Sequence, residues 1–166
     1  MRYRDVVGVV VLLSLAGCRE KSAPGPEYTT VGQFDTATVA IITARDTIPV
    51  RVELAENENQ RALGLMERRQ LDDSHGMLFV YPEVQDSTGS FWMFRTRIPL
   101  DIAFTDSTGT IVSIRSMEPC ASPYPQGCPS YAAGKPFQRA LEVNKGWFEK
   151  RGVAVGDRII VRGESQ

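Results

Sequence analysis

Leu100-Asp101-Ile102-Ala103-Phe104-Thr105, followed by Asp106-Ser107-Thr108-Gly109 and then Thr110-Ile111-Val112-Ser113-Ile114-Arg115-Ser116, is the stretch that decides the fold. Two apolar runs of strand length flank four turn-forming residues. Gly109 stands where a left-handed backbone is expected, so the stretch predicts a β-hairpin. Upstream, Ile48, Val50, Val52 and Leu54 alternate with polar Arg51 and Glu53, the period of a half-buried strand. Val39 and Ile41 precede them across the turn Ala44-Arg45-Asp46-Thr47, which predicts a second hairpin. Gly76 to Tyr81 reads as a short apolar strand ended by Pro82, and Ser90 to Phe94 and Phe137 to Val143 as two more. Asn57 to Leu65 reads as a helix: Asn57 can cap it, Gln60 completes a capping box, and Gly64 helps to end it. Glu118 to Pro136 is a long loop rich in Pro, Ser and Gly, and Trp147 to Arg151 a short helix or turn. Gly156-Asp157 reads as a hairpin turn before a closing strand, Arg158 to Arg162. The expected fold class is α+β, predominantly β: a compact, partly closed barrel of short strands with one or two short helices, because closure protects strand edges.

The 166 residues hold 19 Lys+Arg against 20 Asp+Glu, for a net charge of −1. A nucleic-acid binder needs a basic face to neutralise phosphates, so nucleic acid is not an expected partner. The N-terminus explains the odd count of three Cys. Arg2 and Arg4 precede an apolar run from Val6 to Leu15, which is too short to span a bilayer and has the size of a secretory h-region. It ends in Leu15-Ala16-Gly17-Cys18, which resembles the bacterial lipobox, in which the cysteine takes a diacylglycerol thioether and the peptidase cuts before it. Mature lipoproteins of this kind carry two or three acyl chains such as palmitate, enough for stable anchoring. The expected layout is a signal peptide over 1–17, a Pro- and Gly-containing flexible tether over 18–35, and a single domain over 36–163. Arg19, where inner-membrane retention would use Asp, points to the outer membrane, facing the periplasm.

Five blocks recur in a fixed order: Arg61-Ala62-Leu63-Gly64-Leu65-Met66; Gly76-Met77-Leu78-Phe79-Val80; Phe91-Trp92-Met93 with Ile98-Pro99-Leu100-Asp101-Ile102; Ala140-Leu141-Glu142; and Gly156-Asp157. Together they resemble the domain-of-unknown-function 192 family, over about Ile48 to Val161. The family is widespread in bacteria and archaea and often exported, and the resemblance implies no particular biochemical activity. The family pattern reads Phe-Trp-Met-Lys-Asn-Thr where this chain has Phe94 and Arg95 in place of Lys and Asn. Asn suits a left-handed turn and bonds to its own chain, and Arg95 is expected to do neither well.

Cys120 and Cys128 share one loop in an oxidising compartment, and a structural disulfide is the expected reading over free thiols or a reactive pair. Asp101 and Glu142 are the acids most suggestive of a site, with Arg61, Arg95 and Arg97 as candidate partners. Two carboxylates across a cleft, with Trp92 and Tyr131 as flat platforms, suit a glycan site or glycoside hydrolysis, while a buried ion pair is the plainer alternative. The leading expectation is a non-catalytic binding groove lined by Arg61, Trp92, Arg95, Asp101 and Glu142, taking an envelope glycan or another envelope component, with no cofactor. A small polysaccharide hydrolase using Asp101 and Glu142 is the alternative. A periplasmic copper carrier is a further one, with the single histidine His75 and the thioethers of Met77, Met93 and Met66 as soft ligands, although Met in apolar runs is ordinary core filling. Replacing Cys18 with Ser is expected to move the protein from the membrane fraction to the soluble fraction on cell fractionation. A C18S variant that stays with the membrane overturns the lipid assignment.

Overall fold

The computed structural model describes residues 34–162. The expected signal peptide, Cys18 and nearly all of the expected tether lie outside the described residues. Strand β1 (Asp35–Ile42) and strand β2 (Thr47–Ala55) form the predicted antiparallel hairpin, with Val39 opposite Val50 and Ile41 opposite Ile48. The Thr43 hydroxyl closes its turn by accepting the Asp46 N–H at 3.0 Å. Val50 and Val52 are buried while Arg51 between them is exposed, as a period of two requires. Helix α1 (Glu58–Leu63) follows and carries the capping box: the Asn57 side chain accepts the Gln60 N–H at 2.9 Å, and the Gln60 side chain accepts the Asn57 N–H at 3.2 Å. Gly64 ends the helix at φ +48°.

The chain crosses through α1 into β3 (His75–Gln85), which pairs parallel to β2, with Leu54 opposite Leu78. Strand β3 runs on through Pro82 instead of stopping there. Its ladder is regular only to Val80 and shifts register before Gln85, so Pro82 sits where no paired N–H is needed. Strands β4 (Ser90–Trp92) and β7 (Ser130–Ala132) form a separate two-stranded sheet. Strands β5 (Leu100–Thr105) and β6 (Ile111–Met117) are the hairpin of the deciding stretch, turned at Gly109 with φ +82°. Strand β8 (Phe137–Asn144) lies between β3 and β5 and is antiparallel to both. Helix α2 (Trp147–Lys150) leads to β9 (Arg158–Val161).

The main sheet has the order β6-β5-β8-β3-β2-β1-β9. Gly156-Asp157 therefore does not turn a hairpin. Both flanks of β8 are occupied, so β9 pairs with the free edge of β1, Val39 opposite Val161. The sheet is mixed and strongly curved but is not closed into a barrel. Its two edges touch at one corner, where the Ile159 N–H donates to the Gly109 carbonyl (2.8 Å) and the Ile111 N–H to the Asp157 carbonyl (2.8 Å). The Cys120–Cys128 disulfide is formed and ties the loop that delivers β7 to β4.

The sheet buries both faces. One core contains Val39, Val50, Leu78, Leu141, Val143, Trp147 and Phe148; the other contains Met77, Phe79, Leu100, Ile102, Phe104, Phe137 and Ala140. Strand β8 alternates between them, and Gly76 of β3 allows its close approach. A Cβ on Gly76 would lie 2.5 Å from the Glu142 carbonyl oxygen, a backbone atom with no freedom to yield. Gly76→Ala is expected to destabilise the fold by about 1–3 kcal/mol, the usual cost of overpacking, read as a lower urea midpoint. An unchanged midpoint would show that β3 and β8 are not held this closely.

Candidate ligand-binding pocket

Helix α1 is short and buries no residue, and its position is set by Arg61. The Arg61 Nη1 donates to the Glu56 carbonyl (2.6 Å) and across to the Val80 carbonyl (3.0 Å), and the guanidinium lies 4.9 Å from the centre of the Tyr81 ring. The neighbouring strand β4 is anchored by Phe91, whose ring meets Phe79 edge-on at 4.9 Å and Phe104 at 5.5 Å. Between α1, β3, β4 and β8 these contacts leave a pocket of about 80 Å³. Its walls carry the apolar side chains Leu63, Leu65, Met66, Phe79, Phe91 and Trp92. Polar groups enter from five places: Arg61 from α1, Tyr81 from β3, Ser90 from β4, Thr96 from the turn after β4, and Glu142 from β8.

Glu142 is the unusual member. It is opposite Met77 on one side and Ile102 on the other, so the strand period places it on an apolar face, 4 % exposed. No hydrogen bond or ion pair reaches its carboxyl from the described residues. Burial alone pushes its pKa up to about 8, so the group is neutral at pH 7. Tyr81 is also raised, chiefly by burial, with the Arg61 charge opposing and Glu142 adding to the shift. Arg61 has no carboxylate partner among the described residues, and its Nε and Nη2 make no hydrogen bond there.

Of the five residues expected to line a groove, the structure brings together Arg61, Trp92 and Glu142. Asp101 is equally buried, at 4 %, but pairs with Val143 in register and so faces the other side of the sheet from Glu142. Its carboxylate accepts the Ser116 hydroxyl at 2.6 Å and the Gly146 N–H at 2.8 Å, which pins β6 and the start of α2. The two acids share no cleft, so the paired-carboxylate arrangement expected for glycoside hydrolysis is not formed. Arg95 also lies outside the pocket. It does adopt the left-handed backbone, at φ +57°, contrary to expectation, and its Nε donates to the Glu67 carboxylate at 2.7 Å. Arg97 bonds the same carboxylate. The Glu67 N–H donates to the Arg95 carbonyl at 2.8 Å. These bonds, Arg95 first and then Arg97, hold the Glu67 carboxyl below its usual range. Glu67 is itself left-handed, at φ +62°, so the two strained residues face each other and share these contacts.

The structure does not assemble the expected copper ligands. His75 is at the surface, with Nδ1 3.3 Å from the Ser74 hydroxyl and 3.7 Å from Asp72, whereas Met77 and Met93 are sealed in the apolar core. Met66 lines the pocket beside Leu65. Tyr131 is paired in β7, its hydroxyl accepting the Glu118 N–H at 3.2 Å, and does not line the pocket. Tyr81 and Thr96 were missed in the sequence. Tyr81 lies two residues after Phe79, on the same face of β3, and ending the strand at Pro82 hid the alternation that links them.

The sequence profile of the domain-of-unknown-function 192 family (DUF192), described as an uncharacterised ACR, matches residues 40–161. The chain belongs to this family. Four of the five DUF192 blocks meet at the pocket: all of Arg61 to Met66, Phe79, Phe91-Trp92, and Glu142. A crystal structure of a candidate transcription regulator from Sinorhizobium meliloti is similar, with 36% identity and a TM-score of 0.70 over 80% of this chain and 98% of that one. So is a protein of unknown function from Novosphingobium aromaticivorans, with 29% identity and a TM-score of 0.65 over 85% and 94%. Comparison with curated proteins gave no match.

Glu142 makes a pH prediction for this DUF192 domain. Its folded pKa of about 8 lies above the usual 4.5, so the folded state holds a proton that the unfolded state releases between those values. Its contribution to stability is therefore full at pH 4 and is lost as pH rises towards 8, by up to about 1.4 kcal/mol per pH unit. Denaturation of Glu142→Gln at several pH values should lack that slope and exceed the wild type at pH 8. Parallel profiles for the two proteins would show that Glu142 is ionised in the fold.

Proposed function

We propose that this chain is a lipid-anchored protein of the bacterial cell envelope whose single domain binds a small polar ligand in the pocket without converting it. The ligand is a glycan or another envelope component. One observation carries the reading: Glu142 is 4 % exposed, lines a pocket and has no partner among the described residues. An unpartnered buried carboxyl costs stability, and a ligand group that bonds to it removes that cost. Glu142 is the one carboxyl among the described lining residues, whereas acid–base hydrolysis of a glycoside uses two. For the location, Cys18 supplies the tether and Arg19 favours the outer membrane, facing the periplasm. The Cys120–Cys128 bond suits that oxidising compartment.

Trp92 is 47% exposed and can be replaced without opening the core. The full-length protein in detergent is expected to bind a subset of a bacterial glycan array. Trp92→Ala should weaken that binding about tenfold, equivalent to about 1.4 kcal/mol. An array with no binding, or binding unchanged in Trp92→Ala, removes this reading.

A further inference from the structure

Two side chains that can carry charge line the pocket: among the described residues, Arg61 is its only basic residue and Glu142 its only acidic one. The Arg61 Nη1 is held by two backbone carbonyls, which fixes the guanidinium and leaves the Nε and Nη2 N–H groups together on one edge that is unbonded among the described residues. Two parallel N–H donors on a planar edge match the two oxygens of a carboxylate. On β8 the Glu142 carboxyl is the other polar anchor, and a buried neutral acid both donates and accepts, which suits a hydroxyl. A cationic ligand meets Arg61 with no ionised acid to compensate it.

We propose that the ligand is an acidic sugar, its carboxylate taken by the free edge of Arg61 and its ring hydroxyls by Glu142. This inference rests on the binding reading above and specifies the chemical class. The pocket of about 80 Å³ admits one edge of a sugar ring. A second cavity of about 290 Å³ shares Ser90, Phe91 and Trp92 with it and extends to Cys128 and Ser130. The remainder of the sugar, or its neighbour in a chain, has room there beside the exposed Trp92 ring.

Charge also gives the site a pH response. The titratable groups facing Glu142 are Arg61 on α1 and Tyr81 on β3. The adjoining strands present Met77, Ile102 and Phe91, which carry no charge. When Glu142 ionises it repels a carboxylate ligand and no longer donates, so binding of the acid weakens through pH 8.

Matched probes test the class on the full-length protein in detergent by calorimetry. Methyl glucuronoside is compared with methyl glucoside, and N-acetylmuramic acid with N-acetylglucosamine. At least one acid is expected to bind about tenfold or more tighter than its neutral partner, the worth of a charge-assisted pair. Arg61→Gln should bring that acid down to the neutral sugar's affinity. Glu142→Gln should abolish its weakening between pH 7 and pH 9. Equal or stronger binding of the neutral sugars overturns this inference and leaves the binding reading standing. Lactate binding as tightly as the acidic sugars also overturns it, since the acid alone would then be recognised. If no probe binds and the glycan array is also blank, both fail together. The comparison of matched probes needs no variant, so a misfolded Arg61→Gln cannot shield the proposal.

Discussion

Strand β8 has a hydrogen-bonded neighbour on each side and a core on each face, and the rest of the structure is arranged around that constraint. A strand so placed has no solvent side, and a period of two leaves each residue a choice of two apolar surroundings. Leu141 and Val143 fill one core and Ala140 the other. Glu142 then has nowhere polar to go except the space under α1 and β4. The occupied flanks of β8 also send the C-terminal strand β9 to the edge of β1, which brings the two ends of the curved sheet to one corner. Gly76 keeps β3 close enough to β8 for both cores to pack.

Asp101 and Glu142 show how a buried acid differs in role from another of equal burial. Both are 4 % exposed and they occupy adjacent paired strands. Asp101 has two short donors, from Ser116 and Gly146, and serves to join elements. Glu142 has none among the described residues, and apolar surroundings keep it protonated. A satisfied buried acid joins elements of the fold; an unsatisfied one lining a pocket leaves its hydrogen-bonding capacity open to solvent or a ligand. Arg61 has the same character, with one end fixed by the backbone of the neighbouring strand and one edge unbonded.

Much of the architecture was legible in the chain. The Asp106 to Gly109 turn, the alternation from Ile48 to Leu54 and the Asn57–Gln60 capping box are local signals, and local signals decide local structure. Pro82 misled because its effect depends on whether its position in the ladder requires an N–H, which a register shift in the partner strand removes. The destination of β9 was hidden for a similar reason, since strand pairing depends on which edges other strands have left free. At Arg95 the left-handed backbone is accompanied by a bond to Glu67, 28 residues away in sequence, a contact no local pattern contains.

For this protein the sequence by itself determined the kinds of element, most of their limits, the expected disulfide and the family. It also singled out Arg61, Trp92, Arg95, Asp101 and Glu142 as candidate binding residues. Only the tertiary structure decided which of the marked residues meet. Whether two side chains share a pocket depends on register, and a shift of one residue exchanges one face of a sheet for the other. That is why Asp101 and Glu142, alike in composition and burial, are separated by the sheet, while Arg61, Trp92 and Glu142 from three distant segments converge on one small space.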